Sequence, residues 1–315
     1  MYIGIDLGGT NTAAALVGKN GEIIKRAEIP TNTGGGAQAV TDGLLSVCKD
    51  LLGGARETPL SIGIGVPGLV NSETGEVVFA PNLPLDGVSI SSGLKKAYGC
   101  PILVGNDANC AALGETVAGG AAGAKDVVFI TLGTGVGGGI IVGGRLHTGL
   151  SGAAGEIGHI VIVAGGRACG CGRNGCWESY GSATGLIKTA SEHMEMNASS
   201  SLWELCGGSA GKLNGRLIFG AFRDGDAVAR AIVEQYIEHL AIGIANIINI
   251  FDPEMVCIGG GISGEWDSIS APLLARVDAE KISRPSTGLP QTQIVRAKLG
   301  NDAGIIGAAM LGADR

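Results

Sequence analysis

Tyr2-Ile3-Gly4-Ile5-Asp6-Leu7-Gly8-Gly9-Thr10 opens the chain, and a run of small residues then leads into Ala14-Ala15-Leu16-Val17. An apolar strand, a Gly/Thr turn and a second apolar strand read as a β-hairpin with a polar tip. The same order returns at Val127-Val128-Phe129-Ile130-Thr131-Leu132-Gly133-Thr134-Gly135, followed by Gly139-Ile140-Ile141-Val142. An internal repeat of this size predicts two similar domains whose turns face one cleft. Each tip offers convergent N–H groups and a hydroxyl, which suits phosphate oxygens; a plain tight hairpin is the alternative. Asp6 adds a carboxylate able to hold Mg²⁺ directly or through water.

The second tip, Gly133-Thr134-Gly135-Val136-Gly137-Gly138, satisfies G-x-G-x-x-G. A dinucleotide-binding turn must run from strand to helix, whereas here the next segment is a strand, so that reading is rejected. Neither Gly18-Lys19 nor Gly211-Lys212 is followed by Ser or Thr, which excludes a P-loop. Further strands are expected at 61–66, 102–104 and 255–258, and around 160–163 and 294–297. Helices are expected at 37–52, 109–117, 227–251 and 304–311. Strands alternating with helices make the class α/β. At 315 residues the chain has room for about two domains. They are placed at 1–117, joined by a C-terminal helix at about 300–315, and at 118–299. That last helix must bury its apolar face and is expected to pack back on the first domain.

The chain is 45% hydrophobic and 16% charged, the balance of a globular protein. Its net charge is −7 with no Lys/Arg cluster, which argues against nucleic-acid and membrane-surface partners. An anionic substrate would need a metal or backbone amides to offset that field. Fifty-seven glycines show no collagen-like period, and many follow apolar runs where a backbone could approach a ligand. The first residues read as strand, not as a signal peptide, and the apolar stretch 240–251 is shorter than the ~20 residues of a membrane span. A cytoplasmic location is the expectation.

Three segments carry further chemistry. Gly155-Glu156-Ile157-Gly158-His159 is followed, after nine residues, by Cys169-Gly170-Cys171-Gly172-Arg173-Asn174-Gly175-Cys176-Trp177-Glu178. His159, Cys169, Cys171 and Cys176 form a Cys₃His set, the composition of a closed structural Zn²⁺ site. Glu156 and Glu178 bracket it, so a metal here would rigidify a loop that presents acceptors to a polar partner. Gly105-Asn106-Asp107-Ala108-Asn109 ends a strand and opens a helix, where ligands of α/β proteins are met; Asp107 is either such a ligand group or an N-cap. Gly259-Gly260-Gly261-Ile262-Ser263 follows another strand, and bare backbone there would let a flat ring such as adenine lie close.

Together these segments, with Gly65-Val66-Pro67-Gly68 and Pro81-Asn82-Leu83, resemble the ROK family of sugar kinases and repressors. Within the family the chain is most similar to bacterial glucokinases, and the resemblance spans nearly its whole length. It implies the two-domain actin/hexokinase-like (ribonuclease H-like) ATPase fold with an interdomain cleft. It also implies transfer of phosphate from ATP to the 6-hydroxyl of a hexose, glucose first. Kinases of N-acetylhexosamines or fructose, and a non-catalytic sugar-sensing regulator, are the alternatives. By the same resemblance Asp107 is the general base, while Gly68, Asn82, Asn106, Glu156, His159 and Glu178 bind the sugar. Gly8, Gly9, Thr10, Thr12, Gly133 and Thr134 would hold the phosphates, with Asp6 near Mg²⁺ and Gly260 by the adenosine. His159, Cys169, Cys171 and Cys176 would bind structural Zn²⁺, and the chain would form a homodimer or homotetramer. One departure stands out: Pro84-Leu85-Asp86-Gly87 follows Pro-Asn-Leu, where several sugar-binding relatives carry Trp.

Overall fold

The computed structural model describes residues 1–53, 58–71 and 73–313. The first half begins with β1 (Tyr2–Leu7), β2 (Asn11–Val17) and β3 (Ile23–Pro30). Helix α1 (Gly36–Leu52) and β4 (Ile62–Val66) follow. Then come β5 (Leu69–Asn71), β6 (Glu76–Phe79), β7 (Val88–Ser89) and α2 (Ser91–Tyr98). β8 (Ile102–Asn106) runs directly into α3 (Asp107–Ala118).

The second hairpin is β9 (Val127–Leu132) and β10 (Val136–Val142), extended by β11 (Arg145–Leu146). After the cysteine-rich segment come α4 (Glu178–Gly181), α5 (Ala183–Met196), α6 (Leu202–Leu205) and α7 (Gly215–Arg223). The long α8 (Ala227–Phe251) leads to β12 (Met255–Gly259). α9 (Trp266–Glu280), β13 (Gln293–Arg296) and α10 (Asp302–Met310) finish the chain.

The repeat read from the sequence is a repeat of topology. One five-stranded sheet has the order β3-β2-β1-β4-β8, and the other has β11-β10-β9-β12-β13. In the first, β1 pairs antiparallel with β2 from Tyr2↔Val17 to Leu7↔Thr12, and parallel with β4 on its other side. Strands β5, β6 and β7 make a separate three-stranded sheet whose short members carried no alternation long enough to read.

Two compact units result: residues 1–129, 138–155 and 297–315, and residues 130–137 and 156–296. Residues 314 and 315, the end of the expected C-terminal segment, lie outside the described residues. This division differs from a break after residue 117. Gly139 of β10 lies against Ala108, Asn109 and Ala112 of α3, which ties most of that strand to the first unit.

The first unit's core is aliphatic, with Ile3, Ile5, Leu44, Ile62, Ile64 and Leu94 fully buried. As expected, α10 packs into this unit, against α3, β1 and β4. The contact is backbone-close: a Cβ at Gly63 would strike the Ala308 carbonyl, and one at Gly307 the Cys110 carbonyl. Some of the glycines thus serve helix–sheet packing rather than a ligand. In the second unit α8 is buried along most of its length and carries Tyr236, Leu240 and Ile244 into the core.

The strand expected around residues 160–163 does not form. Val161 makes a single isolated bridge to Cys176, and the Ile162 and Val163 N–H groups both donate to the Gly175 carbonyl. Those apolar residues wrap the cysteine loop, whose turns leave no straight partner edge. Among the described residues no helix is long and apolar enough to cross a membrane.

Candidate active site

In the first unit the β1–β2 tip is closed by the Gly8 N–H donating to the Asn11 carbonyl at 3.0 Å. Thr31 braces it from β3's exit. Its N–H donates to the Thr10 carbonyl at 2.8 Å, and its hydroxyl donates to the Gly8 carbonyl at 2.7 Å. Thr12 is buried, with its hydroxyl 2.8 Å from that of Thr31. Its oxygen therefore helps shape the tip from behind, while Thr10 is exposed on it. The exposed Asn82 lies beside the same tip, where a Cβ on Gly9 would meet its backbone oxygen at 3.1 Å.

The strand-to-helix junction separates two roles that the sequence left joined. Asn106 is the N-cap of α3: its Oδ1 accepts the Asn109 N–H at 3.1 Å and its Nδ2 donates to the Gly68 carbonyl at 3.0 Å. Helix α3 accordingly starts two residues before the expected Asn109. Asp107 is then its first residue, half-buried, with Oδ1 accepting the Ala108 N–H at 2.8 Å. Asp6, at the end of β1, pairs in register with Gly65 of β4, two strands from this junction. Burial, and secondarily the Asp107 carboxylate, raise the Asp6 pKa from 3.8 to about 6. Asp6 near the end of β1 and Asp107 at the start of α3 are thus close enough for the second carboxylate to raise the pKa of the first.

In the second unit Gly133 and Thr134 form the β9–β10 tip. The Gly133 N–H donates to the Gly135 carbonyl at 3.0 Å, and the start of α5 fixes the tip from the other side. There the Ala183 N–H donates to the Gly133 carbonyl and the Thr184 hydroxyl to the Thr134 carbonyl, both at 2.8 Å. Reading the sequence missed this brace; Ser182 before a helical run, a standard N-cap signal, was the available clue. Glu178 reaches the same turn, its Oε2 accepting the Val136 N–H at 3.1 Å. A Cβ at Gly260 would collide with the Leu132 backbone, at 2.5 Å from its nitrogen. That crowding and a φ of 81° already require glycine there, before any ligand is considered.

His159, Cys169, Cys171 and Cys176 place one donor atom each within 4.8 Å of one another. His159 Nδ1 is 3.6 Å from Cys169 Sγ, and Cys171 Sγ is 3.6 Å from Cys176 Sγ. A tetrahedral ion with bonds of about 2.3 Å has ligand–ligand edges just under 4 Å, so this donor set fits a four-coordinate metal. The other ring nitrogen of His159, Nε2, lies 3.8 Å from Glu156 Oε2. The imidazole thus turns one nitrogen to the cluster and one to the carboxylate. The Arg173 backbone N–H lowers the Cys171 thiol, whereas burial pushes Cys176 up to about 12. Trp177, fully buried, anchors the segment by donating from Nε1 to the His239 carbonyl at 2.9 Å.

A duplicated α/β fold with a Gly/Thr tip in each copy, and a carboxylate beside the first, defines an actin/hexokinase-type ATPase architecture. The chain belongs to the ROK family, whose profile matches residues 2–315. It is 37% identical to the glucokinase of Halalkalibacterium halodurans over 314 residues, 98% of this chain and 94% of that one. The crystal structure of a ROK family glucokinase from Streptomyces griseus in complex with glucose and AMPPNP superposes with a TM-score of 0.79. It is 35% identical, and the match covers 98% of both chains. The ROK hexokinase of Thermus thermophilus gives a TM-score of 0.82 at 31% identity, covering 98% of this chain and 96% of that one.

Proposed function

We propose that this chain transfers the γ-phosphate of ATP to the 6-hydroxyl of glucose. One observation carries the reading. At the β8–α3 junction Asn106 does the capping, and the Asp107 carboxylate stands at the helix start with Oδ1 accepting the Ala108 N–H. As the sugar oxygen attacks the γ-phosphorus, its proton passes to Asp107, the new O–P bond forms, and the bond to ADP breaks. In the first unit Gly68, Asn82 and Asn106 hydrogen-bond the sugar. In the second, Glu156, His159 and Glu178 do so, a mixed set suited to a neutral polyol that both donates and accepts.

Gly8, Gly9, Thr10 and Thr12 form one phosphate-holding tip, Gly133 and Thr134 the other, and Gly260 lies by the adenosine. Mg²⁺, bound with the nucleotide, would neutralise phosphate charge, with Asp6 holding it or its water. His159, Cys169, Cys171 and Cys176 hold a structural Zn²⁺ that sets the attitude of the Glu156–His159 loop. The 37% identity to a glucokinase supports glucose as the hexose, and a homodimer or homotetramer is the assembly that the resemblance implies.

The test is ADP release from Mg-ATP with glucose, N-acetylglucosamine, N-acetylmannosamine, mannose and fructose, for the wild type and for Asp107→Ala. Glucose should give the highest kcat/KM. Asp107→Ala should lose at least the 10²–10⁴-fold of a positioned base while binding glucose within about a factor of ten. Another preferred hexose would move the substrate. Loss of affinity as large as the loss of rate would remove Asp107 as the base.

A further inference from the structure

The proposed phosphate tip of the second unit lies in a chain of net charge −7, and no positive group has yet been placed beside it. Lys188 supplies one. It lies on α5 four residues after Thr184, so the two share a helix face. Thr134, Glu178, Ser182, Thr184 and Lys188 all line one cavity of about 190 Å³. The bonds from Ala183 and Thr184 to the Gly133 and Thr134 carbonyls make the tip and the start of α5 one rigid piece. The base of the Lys188 side chain is therefore fixed relative to the tip.

The charge of Lys188 is uncommitted. Its i+4 neighbour Glu192, the ordinary partner for a helical lysine, is taken by Arg167, which also donates to the Thr189 hydroxyl at 3.0 Å. Lys188 is exposed, and its ammonium makes no hydrogen bond or ion pair among the described residues. A flexible ammonium bordering the same cavity as a Gly/Thr tip, with no protein anion of its own, suits phosphate oxygens.

We propose that Lys188 is a nucleotide-binding residue whose ammonium pairs with the phosphate chain held at Gly133 and Thr134. The proposal rests on the kinase reading above for the identity of the anion. Its geometry is confined to the second unit and uses none of the residues assigned to the sugar except Glu178, which lines the cavity wall.

The experiment is calorimetric binding of Mg-ADP to the wild type, Lys188→Met and Lys188→Arg at two salt concentrations, beside initial rates against ATP and glucose. Lys188→Met should weaken ADP and raise the ATP KM about tenfold, with a shallower salt dependence and an unchanged glucose KM. Lys188→Arg should stay within about threefold of the wild type, since the charge is kept. Unchanged ADP affinity in Lys188→Met overturns the assignment, including when that variant melts earlier, which would mark a structural role. A wild type that binds ADP yet phosphorylates no sugar sinks the kinase reading alone and leaves Lys188 to the calorimetry. A wild type that binds no ADP overturns both.

Discussion

At the residue scale the informative contrast is between Asn106 and Asp107, adjacent in sequence and different in duty. Asn106 Oδ1 accepts the Asn109 N–H and one Nδ2 hydrogen goes to the Gly68 carbonyl, which leaves its second N–H for a ligand. An N-cap and the proposed proton acceptor therefore sit side by side at one strand-to-helix junction. Sequence alone could place Asp107 at the junction but could not tell which neighbour capped the helix, because Asn and Asp are equally good caps. Asp6 carries the testable consequence. Its carboxyl pKa is about 6 in the folded chain against an ordinary 3.8, chiefly through burial. Above pH 6 the folded state bears the full cost of an ionised, desolvated carboxylate. Below about pH 4 the group is protonated in both states and that cost vanishes. Stability due to this group therefore falls as pH rises from about 4 to 6, by at most about 3 kcal/mol. Without nucleotide or Mg²⁺, Asp6→Asn should be more stable than the wild type at pH 8 and equal to it at pH 4, with its Mg²⁺-dependent turnover lost. Denaturant titrations at the two pH values check this, and a variant less stable at pH 8 would contradict it.

At the element scale the long periodic segments were legible and the irregular ones were not. Helix α8 fell where its capping Asp226 and its apolar run placed it, residues 227–251. Residues 160–163 looked like a strand because four apolar residues in a row carry no mark that they wrap a cysteine loop. Glu115 was invisible for a different reason: a carboxylate in a helical run reads as a solvated face. It is fully buried instead, and it accepts the Gly120 N–H at 2.6 Å, the Lys298 N–H at 3.0 Å and the Leu299 N–H at 2.7 Å. One side chain thus ties the C-terminal end of α3 to the segment that leads into α10, beside the helix–helix contact made by Gly114 and Gly307. Glu115→Ala would take the acceptor away from the part-buried Gly120, Lys298 and Leu299 N–H groups. A loss of about 3–5 kcal/mol in unfolding free energy is expected, with the fluorescence midpoint in urea shifting accordingly. A shift below 1 kcal/mol would mean that water replaces the carboxylate and that the clamp carries little.

At the scale of the whole molecule, two units with their own cores let one lose a local constraint without the other unfolding. The cysteine loop sits in the second unit, with the His/Cys cluster proposed to bind metal on one side and buried Trp177 on the other. In zinc-dependent small domains the metal contributes on the order of 10 kcal/mol and its removal unfolds the chain. Here Trp177 packs against Gly243 of the long α8, so the loop has an anchor that does not depend on metal. Cys171→Ala, or removal of the metal by a chelator, should therefore leave the chain folded. Amide protection should be lost across 156–176 while β1, α3 and α8 keep theirs. Because His159 turns Nδ1 to the cluster and Nε2 to Glu156, the loop that loses protection is the one proposed to hold sugar hydroxyls. Glucose affinity should fall with metal content, and ADP affinity, proposed to rest on the tip braced on α5, should not. Hydrogen exchange and glucose calorimetry on the same Cys171→Ala sample decide the point. An unchanged glucose Kd in metal-free protein would separate the cluster from the sugar, and global loss of protection would show that the metal holds the whole second unit.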